Sequence, residues 1–259
     1  MSNAVVGTVL AAVVAVAARR AGALTRDGAA AAFVVGTIVF ATTGWRGALV
    51  LFAFFIPSAL LSRLGRVRKS ALSAIGKHGP RDAWQVVANG GVAAACALFA
   101  ARNAPLAAAF AGAFAAAAGD TWGTEIGTLS RDRPREIVTL RPIEPGLSGG
   151  VTTLGTAASI AGSAVVGLVA ALTGIAAFLP VLIGGAAGAL FDSILGATLQ
   201  SQRWCAHCRC ACETSPHGCG QPTIVQRGLP WLENDAVNVA ATVTGALVAA
   251  LLALLPGLA

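Results

Sequence analysis

Repeated apolar runs constrain this chain more than any other feature of its sequence. A helix that crosses a bilayer needs about 20 apolar residues, within a usual range of about 17–25. Only 11% of the residues are charged, whereas a soluble domain has about 25%. We therefore predict an all-α fold, a polytopic membrane bundle of about eight transmembrane helices that forms one domain over residues 1–259. The predicted spans are 4–18, 28–44, 46–62, 84–101, 104–119, 151–172, 176–199 and 236–255.

The basic residues predict how these spans are oriented. Sixteen of the 18 Lys and Arg residues lie in the odd-numbered connections, and the other two are Arg46 and Arg102. Because cytoplasmic loops carry an excess of cations, we expect the odd connections in the cytoplasm and both termini on the extracytoplasmic side. The larger cytoplasmic loops would lie near 63–83, 120–150 and 200–233.

The acidic residues predict where the chemistry lies. All eleven fall on or near the same cytoplasmic face as the basic loops. We expect an integral protein of a prokaryotic cytoplasmic membrane whose active site faces the cytoplasm. A nucleic-acid partner is not expected, because the cations are split among four loops.

The segment GDTWGTEIG, residues 119–127, combines carboxylates and hydroxyls at the end of the fifth span. Its polar side chains suit a hard cation such as Mg²⁺, which takes oxygen ligands and keeps waters for phosphate. The alternative is a polar helix end in which Trp122 anchors the helix at the membrane interface. The candidate residues are Asp120, Thr121, Thr124 and Glu125.

Asp192 lies inside an otherwise apolar run, GGAAGALFDSILGATLQ. A lone carboxylate there must be protonated, paired with a cation or bound to a metal. Gly184, Gly185 and Gly188 precede it and Gly196 follows, so a neighbouring backbone can approach closely. We predict contact with a metal or a substrate, and the alternative is a neutral structural Asp bonded to a neighbouring helix.

The segment ENDAVN, residues 233–238, opens the last span. Asn234 and Asn238 lie one turn apart on the same face, and Asp235 lies beside them. Asn234 could simply cap the helix. Asn238 lies deeper, where either a helix–helix hydrogen bond or a substrate contact would explain it.

A flexible glycine-rich turn, GLSGG at residues 146–150, leads towards the sixth span after four arginines. Exposed amides at a helix N-terminus bind anions, and arginines add bidentate phosphate contacts. The turn lacks the P-loop pattern of Gly-x4-Gly-Lys-Ser/Thr. The pattern predicts an anion site that includes Arg141, Ser148, Gly149 and Gly150.

The seventh connection is rich in cysteine and histidine. Cytoplasmic disulfides are rare, whereas a CxxC pair followed by His and Cys has ligand types that suit one tetrahedral Zn²⁺. Sulfur ligands indicate a structural site, and the alternative is a set of reduced thiols without metal. The predicted zinc ligands are Cys205, Cys208, His217 and Cys219.

These motifs, in this order, resemble the phytyl-phosphate kinase family of integral membrane proteins, which includes relatives like transmembrane protein 19. The resemblance covers most of the chain, and GDTWGTEIG with the later SGGVT is its specific part. Leu147 and Arg141 stand where the family pattern would have Thr and Lys. The matching segments are RxxxLTRDGAxAAFxVG, FFIPSALLSRLGRVRK, WQVVANGG, GDTWGTEIG, GLSGGVTTLGTAAS, FDSILGATLQ and NDAVN.

The resemblance implies a kinase that converts an isoprenoid monophosphate to its diphosphate with a nucleoside triphosphate, with CTP as a candidate donor. Its partners would be the isoprenoid phosphate, the nucleotide and the lipid bilayer. Mg²⁺ would bind to Asp120, Glu125, Asp192 and Asp235, which form the expected catalytic set. Expected substrate contacts come from Thr121, Thr124, Arg141, Ser148, Gly149, Gly150, Asn89, Asn234 and Asn238.

Three other classes of protein remain open from the sequence. A lipid cytidylyltransferase would use the same groups and break a different bond. A transporter would take up a solute into vesicles. A scaffold without catalysis would tolerate replacement of Asp120 and Asp192 alike. The sequence leaves the oligomeric state open.

Overall fold

The computed structural model describes residues 3–64 and 79–258. Arg66, Arg68, Lys69 and Lys77 of the third connection lie outside these residues. Within the described part the chain forms seven helices and five short strands. The helices are α1 (Asn3–Arg20), α2 (Arg26–Leu61), α3 (Ala83–Ala100), α4 (Ala104–Gly127), α5 (Thr153–Leu172), α6 (Phe178–Thr198) and α7 (Asn234–Leu252).

The chain is a mostly helical, polytopic membrane protein. Among the described residues, five helices are long and apolar enough to cross a membrane, namely α2, α3, α5, α6 and α7. The apolar runs thus form helices where the sequence predicts them. The largest difference in a boundary is at α4, which continues to Gly127, so that GDTWGTEIG is helical and does not begin a loop.

Helix α2 is a hairpin of two arms. A straight helix of 36 residues would be about 54 Å long, yet the Arg63 guanidinium just after its end donates a 2.7 Å hydrogen bond to the Ala21 carbonyl just before its start. The reversal occurs at Gly44, whose φ of 64° and ψ of −156° are not helical and are accessible to glycine. The hairpin explains why the sequence predicts two spans, 28–44 and 46–62, where the secondary structure forms one element.

Helix α4 forms the centre of the bundle. It packs against α2, α3, α5, α6 and α7, and every residue from Ala107 to Gly119 is buried. A helix that is apolar on all sides is expected in such a central position. Phe110 and Phe114 provide its largest fully buried side chains, with ring centroids 5.4 Å apart in an edge-to-face contact. The core therefore surrounds the helix that carries Asp120.

Five short strands, absent from the all-α prediction, form two small sheets among the described residues. In the first sheet, β1 (Arg135–Glu136) pairs antiparallel with β2 (Gly150–Val151). The second sheet has the order β4-β3-β5 and follows α6. Its strands are β3 (Gln202–Cys205), β4 (Cys210–Cys212) and β5 (Ile224–Arg227).

Candidate functional site

A polar cavity of about 1380 Å³ opens where the odd-numbered connections meet the bundle. It is lined by parts of all four of these connections, including Ala21, Arg81, Ser130 and Glu213. We call it the polar cavity. Of the residues predicted from the sequence, those that line it are Asn89, Asp120, Thr121, Thr124, Glu125, Ser148, Gly149, Gly150, Asp192, Asn234, Asp235 and Asn238.

Close packing of small residues brings Asp120 and Asp192 together. A Cβ on Gly188 of α6 would lie 2.5 Å from the Ala116 Cβ of α4, so the two helices touch at this level. Asp192 and Asp120 each follow one turn later on these helices. Their carboxyl groups lie within hydrogen-bond distance of each other. The close backbone approach predicted from the glycines before Asp192 is therefore confirmed.

The Asp120–Asp192 pair has unused capacity to bind a cation. The Asp192 Oδ2 atom is buried and, within the described residues, has no hydrogen-bond partner. Two adjacent carboxylates cannot both be ionised cheaply without a proton or a cation between them. The predicted Mg²⁺ ligands are Asp120, Glu125, Asp192 and Asp235. In the part of the chain described, no three of them lie close enough together to form a compact metal cluster. Mg²⁺ is commonly bound by one or two carboxylates, together with waters and substrate phosphates, so the pair fits this metal.

Glu125 and Arg81 add a second charged centre to the polar cavity. The Ser62 hydroxyl at the end of α2 donates a 2.6 Å hydrogen bond to Glu125 Oε1. Arg81 is attracted by Glu125 and Asp120, while burial lowers the pKa of its guanidinium. Arginine remains charged even so. The cavity therefore combines a cation with the carboxylates that would otherwise repel a phosphate.

The backbone of Arg81 is fixed by the first connection. Its N–H donates to the Ala23 carbonyl at 2.9 Å, and its carbonyl accepts from the Thr25 N–H at 3.1 Å. Asp82, the next residue, caps α3 through a capping box with Gln85. The Arg81 carbonyl lies where a Cβ on Gly28 would be, which explains a glycine there. These contacts direct the guanidinium towards the interior.

Two predicted amide side chains are buried at the wall of the polar cavity. Asn238 is 8% exposed and Asn89 is 9% exposed. The Asn89 side chain donates to the Gln85 carbonyl at 2.9 Å. Asn234 is the first residue of α7, and the N-cap is Glu233, so the capping alternative for Asn234 is wrong.

The glycine-rich turn already binds an anionic group of the chain itself. The Ser148 N–H donates to Glu213 Oε1 at 2.7 Å, and its hydroxyl donates to Glu213 Oε2 at 2.9 Å. Gln200 also donates to Glu213, at 3.2 Å. Burial raises the pKa of Glu213. The turn thus has the donor geometry of an anion site, but strand β2 and the N-cap Thr152 separate it from α5.

Gly149 positions this turn against the end of α6. Its φ is +81°, and a Cβ there would lie 2.5 Å from the Ala197 nitrogen. A Cβ on Gly196 would likewise lie 2.7 Å from the Gly149 nitrogen. Arg141 is exposed and is not among the residues that line the polar cavity. Its predicted contact with nucleotide stays a prediction.

The four predicted zinc ligands converge. The ligand atoms of Cys205, Cys208, His217 and Cys219 all lie within 4.8 Å of one another. The Cys205 and Cys219 sulfurs are 3.7 Å apart, close to the about 3.8 Å expected for two sulfurs on one tetrahedral Zn²⁺. All six cysteines are free. This Cys₃His cluster could hold a metal such as zinc.

The sheet that carries the Cys₃His cluster is tied to the polar cavity. An ion pair at 3.2 Å links Arg203 of β3 to Glu233 at the start of α7. A second at 3.0 Å links Arg227 of β5 to Glu136 of β1. Glu213 follows β4 directly and reaches Ser148. A metal in the cluster would therefore stabilise the segment that holds the glycine-rich turn.

Sequence reasoning missed several residues of the polar cavity. Ser62 and Arg81 lie at the two ends of the third connection and Glu213 lies in the seventh, and the sequence near each shows only an ordinary polar loop. The one available signal was at Arg81, the last cation of the third connection, which comes directly before a helix cap and the conspicuous WQVVANGG segment.

Comparisons with known proteins agree with this fold. The model of the family described as integral membrane protein DUF92 matches residues 9–246. The chain is 32% identical to Protein PGR of Arabidopsis thaliana over 244 residues, which cover 82% of this chain and 83% of that protein. It is 28% identical to an uncharacterized membrane protein of Synechocystis sp., covering 96% and 89% of the two chains.

A third relative is archaeal. The chain is 29% identical to an uncharacterized membrane protein of Methanocaldococcus jannaschii, covering 93% of this chain and 90% of that protein. No solved structure matches. The match of the family model to most of the sequence shows that this chain belongs to the DUF92 family of integral membrane proteins.

Proposed function

We propose that this protein is a membrane-embedded kinase that converts an isoprenoid monophosphate to its diphosphate with a nucleoside triphosphate, with CTP as one candidate donor. The observation that carries the proposal is the Asp120–Asp192 pair at the floor of the polar cavity. The motifs that resemble phytyl-phosphate kinases supply the substrate class. The cavity supplies the groups that such a reaction needs.

The reaction requires positioning and charge compensation. An oxygen of the acceptor monophosphate attacks the γ-phosphorus of the nucleotide, and the bond from that phosphorus to the β–γ bridging oxygen breaks. The products are the isoprenoid diphosphate and a nucleoside diphosphate. Because the acceptor is already an anionic nucleophile, the protein needs no Ser, Cys or His nucleophile.

Asp120 and Asp192 would hold Mg²⁺, with Glu125 and Asp235 on the same cavity wall. The bound ion would neutralise charge on the transferring phosphoryl group. Arg81 would compensate the charge of the phosphates, while Asn89 and Asn238 offer amides to the same ligands. Nucleotide binding at the glycine-rich turn would require Glu213 to leave Ser148, because both anions need the same donors.

We also propose eight spans, counting both arms of α2, with the polar cavity facing the cytoplasm and both termini on the other side. The grouping of the four odd-numbered connections around one cavity supports this orientation. These connections contain 16 of the 18 cations, as expected for cytoplasmic loops. Cysteine accessibility in intact cells tests it, with probes at Val5 and Val138, which are both exposed.

The kinase proposal is tested with purified protein in nanodiscs, Mg²⁺, each nucleoside triphosphate and a panel of isoprenoid monophosphates. We expect an isoprenoid diphosphate and a nucleoside diphosphate. A cytidylyltransferase would instead release pyrophosphate and leave a CDP-lipid. Asp120→Asn and Asp192→Asn should each lower kcat by at least about 100-fold, the usual scale for loss of a group that stabilises transition-state charge.

Glu144→Gln is the matched control, because Glu144 is exposed and does not line the polar cavity. It should retain wild-type activity. If no monophosphate is consumed and Asp192→Asn folds and behaves as wild type in every assay, the kinase proposal is wrong.

A further inference from the structure

A second cavity lies inside the bundle and is almost wholly apolar. It has a volume of about 270 Å³ and lies between α1, the two arms of α2, α3 and α4. We call it the apolar cavity. Its wall includes Leu10 and Val14 of α1, Val35 and Phe52 of α2, Val86 of α3, and Phe114 of α4.

The apolar cavity meets the polar cavity at one place. Among the described residues, the polar side chains that line it are Arg81, Gln85 and Asn89. All three also line the polar cavity, as does Phe55. The polar groups of the apolar cavity are thus concentrated at its junction with the candidate site, and its remaining wall is hydrocarbon.

Arg81 has a suitable environment for an anionic group at this junction. Its guanidinium carbon lies 5.9 Å from the centroid of the Phe54 ring, so the apolar side of the group packs on an aromatic face. Asp120 and Glu125 lie close enough to attract it from the polar cavity. The guanidinium has five N–H donors in a fixed fork that fits phosphate.

We infer that the apolar cavity binds the hydrocarbon chain of the phosphorylated acceptor lipid and that Arg81 binds its phosphate. This inference rests on the proposed function and adds to it the place and direction of the acceptor. A ligand with one anionic end and a long apolar body matches the division between the two cavities. A small water-soluble phosphate would leave the apolar cavity unused, and an uncharged lipid would offer no phosphate oxygens to the guanidinium donors of Arg81.

The length of the apolar cavity is consistent with a membrane lipid. Its wall on α1 extends from Gly7 to Ala18, which at 1.5 Å per residue is about 16 Å along the helix. The hydrocarbon core of a bilayer is about 30 Å thick. The bound chain would therefore extend through about one leaflet, with its phosphate next to Asp120.

Photolabelling of the full-length protein in nanodiscs tests the binding site without depending on activity. The probe is a farnesyl monophosphate analogue with a diazirine at the far end of its chain. We expect labelled peptides from α1 and the arms of α2. Farnesyl monophosphate should halve the label at a concentration about tenfold lower than farnesol requires, because the hydrogen-bonded charge of the phosphate adds affinity.

Two adjacent valines offer a matched pair of variants. Val14 lines the apolar cavity, whereas Val13 is 60% exposed and is not part of its wall. Val14→Phe should reduce labelling and raise the KM for farnesyl monophosphate about tenfold with little change in kcat, because it occupies the space of the chain. Val13→Phe should resemble the wild type in both measurements.

The outcomes separate this inference from the proposed function. If diphosphate forms but the label falls on other helices, or farnesol competes as well as the phosphate, the inference is wrong and the kinase proposal stands. If the label falls on α1 and α2 with the expected competition but no diphosphate forms, the kinase proposal is wrong and the lipid site stands. Equal behaviour of the two valine variants would also overturn the inference.

Discussion

Replacement of Gly149 by alanine should separate backbone strain from steric contact at the candidate site. Gly149 has a φ of +81°, and a Cβ would lie 2.5 Å from the Ala197 nitrogen and 2.6 Å from its Cα. Both are backbone atoms of α6, so they cannot move as a flexible side chain would. The left-handed conformation costs a non-glycine residue about 1–2 kcal/mol, and overpacking typically adds about 1–3 kcal/mol. We therefore expect Gly149→Ala to lower the free energy of unfolding by about 2–5 kcal/mol.

Gly174→Ala is the matched control. Gly174 has a φ of +67°, and a Cβ added there would have no atom within 4 Å. The Gly174→Ala variant should therefore lose only the conformational part of the free energy of unfolding, about 1–2 kcal/mol. Thermal unfolding in the same detergent measures both variants. At about 2–4 °C per kcal/mol for a chain of this size, Gly149→Ala should unfold several degrees below Gly174→Ala. Equal losses would refute the assigned contact between the turn and α6.

Three further predictions follow from other contacts. Cys208→Ser should lower bound zinc, measured by elemental analysis, from about one ion per chain to a small fraction, whereas Cys96→Ser, outside the Cys₃His cluster, should retain it. Because burial raises the pKa of Glu213 above its ordinary 4.5, its contribution to stability is complete below that value and is lost as the pH rises through the folded-state pKa. Unfolding temperatures of Glu213→Gln should lack this decline between pH 4.5 and neutrality, and an unchanged slope would contradict the assignment. Ser62→Ala removes the 2.6 Å hydrogen bond to Glu125 and should cost about 1–3 kcal/mol in a chemical unfolding titration, with a loss near zero counting against that contact.

The apolar runs were sufficient to predict the helices and the tight reversal near Gly44. A long, continuous apolar segment forms a helix in a membrane, because every backbone polar group must be hydrogen-bonded within the segment. The strands were missed because they contain only two to four residues each, too few for a periodic pattern.

At the candidate site, too, some residues were predictable from the sequence and others were not. Asp120, Asp192 and the four residues of the Cys₃His cluster were predictable because each is costly or unusual in its local sequence. A carboxylate in an apolar run, or several thiols in one short loop, needs a specific explanation. Arg81 and Glu213 are ordinary loop residues by composition, and their roles depend on contacts with Phe54 and Ser148. Such contacts between distant segments leave no pattern in a single sequence.

The reversal at Gly44 has a consequence for how the protein is made. A single residue, Gly44, separates the two arms of α2. No hydrophilic loop between them could therefore remain in water while the first arm alone inserts into the bilayer. In the proposed eight-span topology, the two arms would therefore enter the bilayer together from the translocation machinery. A charged residue introduced into either arm should therefore impair the biogenesis of both.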